Sequence, residues 1–344
     1  MNITILNPLL TKDWDKLILQ HPEATFFHSS AWADVLSKTY QHEPQYIGCF
    51  RKNELLALVP MMEIQSRFTG CRGVGLPFTD RCAPLLFHND AFELVLHSLS
   101  DLARKRSWKH FELRGGIHEP SIAAPSVRFY EHILDLRKSS GGLFSNFSSA
   151  NRRAIRKAER SEIRLETSDS PEAIRKYYQL HVRTRKRHGL PPQPFSFFDN
   201  IQKSVIETGM GFVTLAYIGV VPIAGAVFFH FGRSAIYKFG ASDENFHEHR
   251  VNNLLMWKGI EALRNNGFEQ LYFGRTSWNN PGLRKYKLGW GTEEKTLTYL
   301  KFNTLTKKWE EGRDRTTGFH NVIFSKLPPL LNCLAGAMIY PHLD

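Results

Sequence analysis

Residues 211–241 read GFVTLAYIGVVPIAGAVFFHFGRSAIYKFGA. Branched and aromatic residues fill Gly211–Ile218 and again Pro222–Phe231, and Gly219 stands between the two runs. That pattern predicts an antiparallel hairpin, with Ala235–Ala241 as a third strand. On the C-terminal side, Val251, Leu254, Leu255, Ala262 and Leu263 line one face of a helix that Asn265-Asn266-Gly267 ends. Gln270–Phe273 and Thr296–Phe302 read as further short strands. On the N-terminal side, Pro171–His188 and Phe195–Glu207 read as helices, with Pro171 suited to a first helical turn.

The same order occurs earlier in the chain. An amphipathic segment, Ser30–Tyr40, precedes a hairpin predicted from Tyr46–Phe50 and Leu55–Ile64 across Arg51-Lys52-Asn53. Gly73–Leu76 follows as a short strand and leads to a loop rich in Pro, Asp and Arg. Phe92, Val95, Leu96, Leu99, Leu102 and Ala103 then recur at helical spacing. His110–Leu113 and His132–Leu136 are strands around a loop that contains Gly115-Gly116 and Pro120. One order met twice predicts duplication, and short strands mixed with helices predict two α+β halves. The expected division is a first half over 1–140, a linker with a basic helix over 141–165, a second half over 166–312 and an apolar tail over 313–344. A single large mixed α/β domain is the other arrangement compatible with the pattern.

The chain has 344 residues and a formal net charge of +12, which favours anionic partners such as nucleic acid, CoA, phosphorylated metabolites or an acidic membrane surface. A basic surface that serves only solubility is the plainer reading. Cys49, Cys71, Cys82 and Cys333 are scattered, so neither a zinc site nor a disulfide framework is expected. No signal peptide is read in Met1–Gln20, and no apolar run approaches the roughly 20 residues that span a bilayer. The cytoplasm is the expected compartment.

Between the halves, the Ser- and Gly-rich stretch Ser139–Ser149 leads into Asn151–Arg160. At helical spacing Arg152, Arg153, Arg156, Lys157 and Arg160 share one face, while Ala154, Ile155 and Ala158 lie opposite. Like charges at this spacing repel unless an anion is near. Arg183, Arg185, Lys186 and Arg187 form a second basic cluster. A groove for tRNA or a nucleotide-linked substrate is one reading; a solvated face paired with Glu159, Glu162 and Glu166 is the other.

In Tyr272–Gly291 a strand ends and a polar loop is expected, placing Arg275, Ser277, Lys287 and Trp290 where ligand groups converge. The segment FGRTSWNNPGLRKYKLGWG, residues 273–291, resembles the FGRS…G…FKxxWG signature of FemAB-like acyltransferases. Phe26–Trp32 is similar to that family's FFxxxxW element, and Leu76–Pro84 to its LPFxDxxxP loop. Asn151–Arg160 looks like its RxxIRKAE helix, and Ile236–Ser242 like its YxxGAS strand. The resemblance spans roughly Phe26–Phe302.

It implies tandem GNAT-like halves with mixed, mostly antiparallel sheets flanked by helices. It also implies transfer of an acyl or aminoacyl group to a peptidoglycan or exopolysaccharide precursor. The donor would be aminoacyl-tRNA or acyl-CoA, with no covalently bound cofactor. Within that resemblance Lys287 would stabilise negative charge on the donor or the oxyanion, and Arg275 would orient a phosphate or carboxylate. Asp80 would approach the acceptor amine and Tyr237 would supply a hydroxyl. Arg152, Arg156, Lys157, Ser277, Trp290 and Asn252 would contact substrate. Plainer roles are open for Asp80, as a turn former, and for Tyr237, as a core aromatic.

One departure bears on the donor. CoA-binding GNAT proteins place a Q/RxxGxG/A loop at a helix N-terminus, where backbone N–H groups hold the pyrophosphate. Here that position reads Glu248-His249-Arg250-Val251-Asn252-Asn253, without those glycines. His247-Glu248-His249 lacks the further ligands zinc needs, so no metal is expected. No Gly-x-Ser-x-Gly, Walker or Rossmann motif is present. In the tail, Leu330, Leu331, Leu334, Met338 and Ile339 predict a short amphipathic helix, docked on the protein or touching a membrane peripherally. A non-catalytic module that binds tRNA or serves envelope assembly on the same fold is the alternative to an enzyme.

Overall fold

A computed structural model describes residues 1–115, 125–312 and 320–344. The predicted loop containing Gly116 and Pro120 lies outside the described residues. The chain parts into two compact units. Unit 1 comprises Met1–Phe129, Thr296–Arg315 and Ile339–Asp344; unit 2 comprises Tyr130–Lys295 and Thr316–Met338.

In unit 1, β1 (Asn2–Leu6), α1 (Ser30–Tyr40), β2 (Tyr46–Arg51), β3 (Glu54–Val59), β4 (Met62–Ser66), β5 (Gly70–Val74), α2 (Phe92–Lys105) and β6 (His110–Arg114) follow in order. β1, β2 and β3 form an antiparallel sheet completed by Leu85–Leu86. β4 pairs with β5 in a second sheet. The predicted continuous strand Leu55–Ile64 is thus two strands in two sheets. Pro60 falls at the break, where it has no N–H to give a ladder. β5 and β6 run parallel, registered at Gly73–Phe111 and Val74–Glu112, with α2 as the crossover. Ile47, Leu56, Val59, Val95, Leu99, Trp108 and Phe111 build the core between sheet and helix.

Unit 2 begins within β7 (Val127–Asp135) and continues through α3 (Ser140–Asn146), α4 (Ser149–Glu159), β8 (Arg164–Ser168) and α5 (Pro171–Arg187). Then come β9 (Gly211–Ile218), β10 (Val221–Phe231), β11 (Ser234–Ser242), α6 (Val251–Asn265), β12 (Gln270–Ser277) and α7 (Pro281–Leu288). β8 to β11 are antiparallel neighbours, so the hairpin and third strand expected from 211–241 are present. β11 and β12 run parallel with α6 as crossover. Each unit therefore holds one strand–helix–strand crossover beside antiparallel strands, the α+β arrangement expected for each half.

Local chemistry starts the helices. The Ser148 hydroxyl accepts from the Asn151 N–H at the head of α4, and Ser170 does the same for Ala173 ahead of Pro171 in α5. Asn280 accepts from Leu283 with Pro281 at the first position of α7. The polar loop expected over 274–291 thus contains a helix, and its start signal was the Asn-Pro pair. Beyond α7, β13 (Glu293–Asn303) belongs to unit 1 from Thr296 onward, and its Tyr299–Asn303 runs antiparallel to β6.

The tail divides. α8 (Pro329–Ile339) belongs almost wholly to unit 2, and the residues from Ile339 onward belong to unit 1. Asn332 and Gly336 are the buried side of α8: the Asn332 amide donates to the Leu190 carbonyl, and Gly336 meets the Pro192 carbonyl with no room for a side chain. Leu330, Leu331, Leu334 and Met338 are exposed. Among the described residues no helix is long and apolar enough to cross a membrane.

Candidate active site in unit 2

The parallel register between β11 and β12 covers only Ser234–Ile236 against Gln270–Tyr272, so the two strands are not paired with each other beyond that point. Gly274 lies just past it, with a φ of 71°. Successive carbonyls of a regular strand point to opposite sides; the left-handed glycine breaks that alternation. The carbonyls of Gly274 and Arg275 consequently both accept from the Lys287 Nζ, at 2.8 and 3.0 Å. Lys287 is buried in the last turn of α7, and this pair of bonds fixes its ammonium.

A hydrogen-bonded group of His132, Glu294 and Arg284 stands nearby, with His132 within electrostatic range of that ammonium. His132, from β7, is fully buried, with its Nε2 3.1 Å from Glu294 Oε2. Arg284 holds Glu294 with two bonds of 2.7 Å, and its guanidinium stacks 4.3 Å above the Tyr130 ring. Tyr130 stacks in turn on Trp278. Burial, reinforced by the charge of Lys287 and opposed by Glu294, pushes His132 down to about 4. Its imidazole is neutral at physiological pH. The hydrogen bonds from Arg284 hold the Glu294 carboxyl below its usual range.

A second feature is a basic pocket of about 470 Å³, lined by Asn151, Arg153 and Lys157 of α4, Arg250 and Asn253 at the head of α6, and Tyr286 of α7. Arg250 has a left-handed backbone, φ 55°, where the glycine-rich turn was missing from the sequence. The Asn253 amide donates to Asn151 Oδ1, while the buried Asn151 Nδ2 has no partner among the described residues. No carboxylate lines this pocket, so its net charge is positive. Burial pushes the Tyr286 phenol up to about 12, so it stays protonated.

The basic stripe of α4 splits by partner. Arg152 donates to the Ser145 carbonyl and Arg156 stacks over Phe144, both toward α3. Arg153 and Lys157 face the pocket. On the inner side Asn151 joins Ile155 and Ala158, and Ala154 lines the pocket instead of being buried.

The other residues singled out in the sequence are more dispersed. Tyr237 packs on Phe228 with its hydroxyl against Gly240, and burial raises its phenol well above the usual value. Arg275 and Ser277 are half-buried at the end of β12, where the Ser277 hydroxyl accepts from the Asn279 N–H and shapes the turn into α7. Asn252 donates to the Ser242 hydroxyl. Trp290 is fully buried between Phe147 and Phe273 and forms part of the core. Asp80 belongs to unit 1, where its carbonyl accepts from the Tyr299 hydroxyl at 2.6 Å. Among the described residues no group of three or more His, Cys, Asp or Glu has the geometry of a metal site; His247 contacts the Ser242 hydroxyl.

Residues 145–288 match the family model described as an acetyltransferase (GNAT) domain. The match lies within unit 2. The matched span runs from α3 to the end of α7 and includes the basic pocket and Lys287. No curated protein matches the chain. Among solved structures, FemX is similar over 87% of this chain and 97% of its own, with a TM-score of 0.68 and 14% identity. A tandem GNAT protein from the clavulanic acid biosynthesis pathway matches 88% of this chain and 98% of its own, at a TM-score of 0.56 and 10% identity. L-PGS from Bacillus licheniformis matches 92% and 96%, at 0.55 and 12%. At these identities the likeness is one of fold, and it agrees with the tandem GNAT-like architecture and the FemAB-like resemblance read from the sequence.

Neither the His132–Glu294 contact nor the Asn151–Asn253 hydrogen bond is marked in the sequence. His132 and Glu294 are 162 positions apart, and nothing in either local sequence marks the contact.

Proposed function

We propose that the GNAT domain transfers an acyl or aminoacyl group from an anionic donor to an amine or hydroxyl of a cell-envelope precursor. The observation that carries this reading is the Lys287 ammonium, fixed by two carbonyls beside the point where β11 and β12 part. A charge held in place before reaction needs no reorganisation as an oxyanion develops. The acceptor nitrogen or oxygen bonds to the acyl carbon while the bond to the donor's sulfur or ribose oxygen breaks, and the acceptor's proton ends on the leaving group. The fold needs only to align the two reactants. Tyr237, kept protonated by its burial, suits the hydroxyl role, and Arg275 suits an anionic group of a substrate.

The donor's phosphates would sit at the pocket of Arg153, Lys157 and Arg250. Side-chain cations there take the part that a glycine-rich backbone plays elsewhere, which favours aminoacyl-tRNA over acyl-CoA. Peripheral membrane contact is a second element of the proposal. It is supported by Leu330, Leu331, Leu334 and Met338, which stay exposed although α8 is docked by its opposite side.

The test is mass spectrometry of ligands retained by the purified chain, followed by transfer assays with aminoacyl-tRNA and with acyl-CoA on peptidoglycan precursors. Retained donor and transfer that Lys287→Ala abolishes are expected. Retained tRNA with no transfer from either donor, and a cellular phenotype indifferent to Lys287→Ala, would instead establish the non-catalytic binding module.

A further inference from the structure

Unit 1 buries two arginines almost completely, Arg72 at 5% exposure and Arg114 at 3%. A buried guanidinium must be paired, since an isolated charge in the interior is strongly unfavourable. Arg114 pairs with Glu112, at 2.8 Å. Arg72 is matched by Asp344 and His342: its Nε donates to Asp344 Oδ2 at 3.1 Å and its Nη2 to the His342 carbonyl at 2.8 Å. Burial opposes ionisation of Asp344, yet Arg114 and Arg72 outweigh it and hold the carboxyl below its usual range. His42, also buried, lies within electrostatic reach of Arg72 and Asp344, and its Nε2 has no hydrogen-bond partner among the described residues.

The segment that brings Asp344 here is short. Tyr340–His342 forms a single 3-10 turn and no strand, so it is woven into neither sheet of unit 1. Its rings fill aromatic contacts: Tyr340 packs on Phe78, which packs on Tyr40, and His342 stands edge-on to Phe68. Leu76 and Phe78 both carry a φ of 57°, a costly backbone for non-glycine residues and one that recurs at ligand clamps. Residues 340–344 thus meet aromatic rings at one end and a buried cation at the other.

We propose that Arg72, His42 and the Tyr40–Phe78 aromatic pair form a binding site for an acidic peptide, which Tyr340–Asp344 occupies in cis and a partner's carboxylate-bearing segment can replace. The ligand class follows from the occupant: an aromatic side chain, then a carboxylate four residues later. The orphaned imidazole nitrogen of His42 offers a further polar contact that the cis segment leaves unused. This site stands on unit 1 alone and is independent of the chemistry in unit 2.

The test uses the full chain and a fluorescent acetylated peptide, Tyr-Pro-His-Leu-Asp. A Tyr340→Ala/Asp344→Asn variant weakens the cis occupant and is expected to bind the peptide at least about tenfold more tightly than the unmodified chain, since an occluding segment lowers apparent affinity by the fraction of sites it fills. Adding Arg72→Gln to that variant should remove the gain, and a peptide ending in Asn should bind at least about tenfold more weakly. In the unmodified chain, excess peptide should speed amide hydrogen exchange over residues 340–344. A folded variant that gains no peptide binding, or exchange over 340–344 that saturating peptide leaves unchanged, overturns the proposal and leaves Arg72–Asp344 as a fixed structural pair.

Discussion

The ammonium of Lys287 lies 2.8 Å from the carbonyl oxygen of Gly274, thirteen residues earlier in the chain. The bond joins the last turn of a short helix to a strand at the residue where that strand turns left-handed. Each partner makes sense through the other: the glycine redirects a carbonyl, and the lysine keeps it from being buried without a donor.

Replacing Lys287 by Met is expected to have two separable effects. Loss of a donor to two carbonyls should lower stability by about 1–3 kcal/mol, read by urea unfolding. Loss of the fixed charge should lower the rate of acyl transfer by a factor of about 10²–10³, read in single-turnover assays at a temperature where the variant is folded. Transfer at the unmodified rate would exclude Lys287 from charge stabilisation.

Gly274→Ala places a side chain on a backbone with φ 71°, at a cost of about 1–2 kcal/mol. Gly267, with φ 82° and open space around it, is the matched control. Both alanine variants should lose comparable stability, but only Gly274→Ala should slow transfer, because only it displaces the carbonyls that hold Lys287. Equal activity in the two variants contradicts the clamp.

Charge reversal on α4 should depend on direction. Arg153→Glu with Lys157→Glu, at the pocket, should weaken donor binding by about tenfold or more and flatten its salt dependence. Arg152→Glu with Arg156→Glu removes charges already engaged at Ser145 and Phe144 and should do so less. Filter binding across a salt series separates the two; identical slopes would mean that donor binding is not confined to the pocket.

Acid should destabilise the chain before its carboxylates titrate. His28 and His132 are both pushed down to about 4, chiefly by burial, from an ordinary 6.5. His28 is fixed as the neutral form, with Nε2–H given to the Ala83 carbonyl and Nδ1 accepting from the Thr25 N–H. The unfolded chain therefore binds these protons first as pH falls. Their contribution is complete above about pH 6.5 and is lost between there and about pH 4, on the order of 3 kcal/mol for each site. Urea unfolding at several pH values should show this slope, and His132→Asn should reduce it; a flat profile between pH 6.5 and 4.5 would exclude it.

Serine at Leu330, Leu334 and Met338 should reduce co-sedimentation with anionic vesicles while leaving the melting temperature nearly unchanged, because these side chains are exposed. Unaltered co-sedimentation would remove the tail from membrane contact.

Much of the architecture was legible because its signals are local. The strands at 211–241, the helices at 92–105 and 171–187 and the basic helix at 149–159 each announce themselves by periodicity, capping residues or a glycine between apolar runs. The division of Leu55–Ile64 between two sheets was less visible, since a proline interrupts a strand without saying which sheet each part will join. The helix at Pro281–Leu288 was hidden by its polarity, although Asn280-Pro281 marked its start.

Sequence alone determined the paired α+β halves, the positive charge of α4 and the segment 273–291 that holds Lys287, because composition and short-range pattern suffice for these. Tertiary structure decided the rest. It took Trp290 into the core, split the basic stripe between α3 and the pocket, and brought His132 to Glu294 across 162 residues. It also carried Asp344 to Arg72, 272 residues away. The physical reason is the same throughout: buried charges and hydrogen-bonding groups must find partners, and only the folded chain settles which distant partner is in reach.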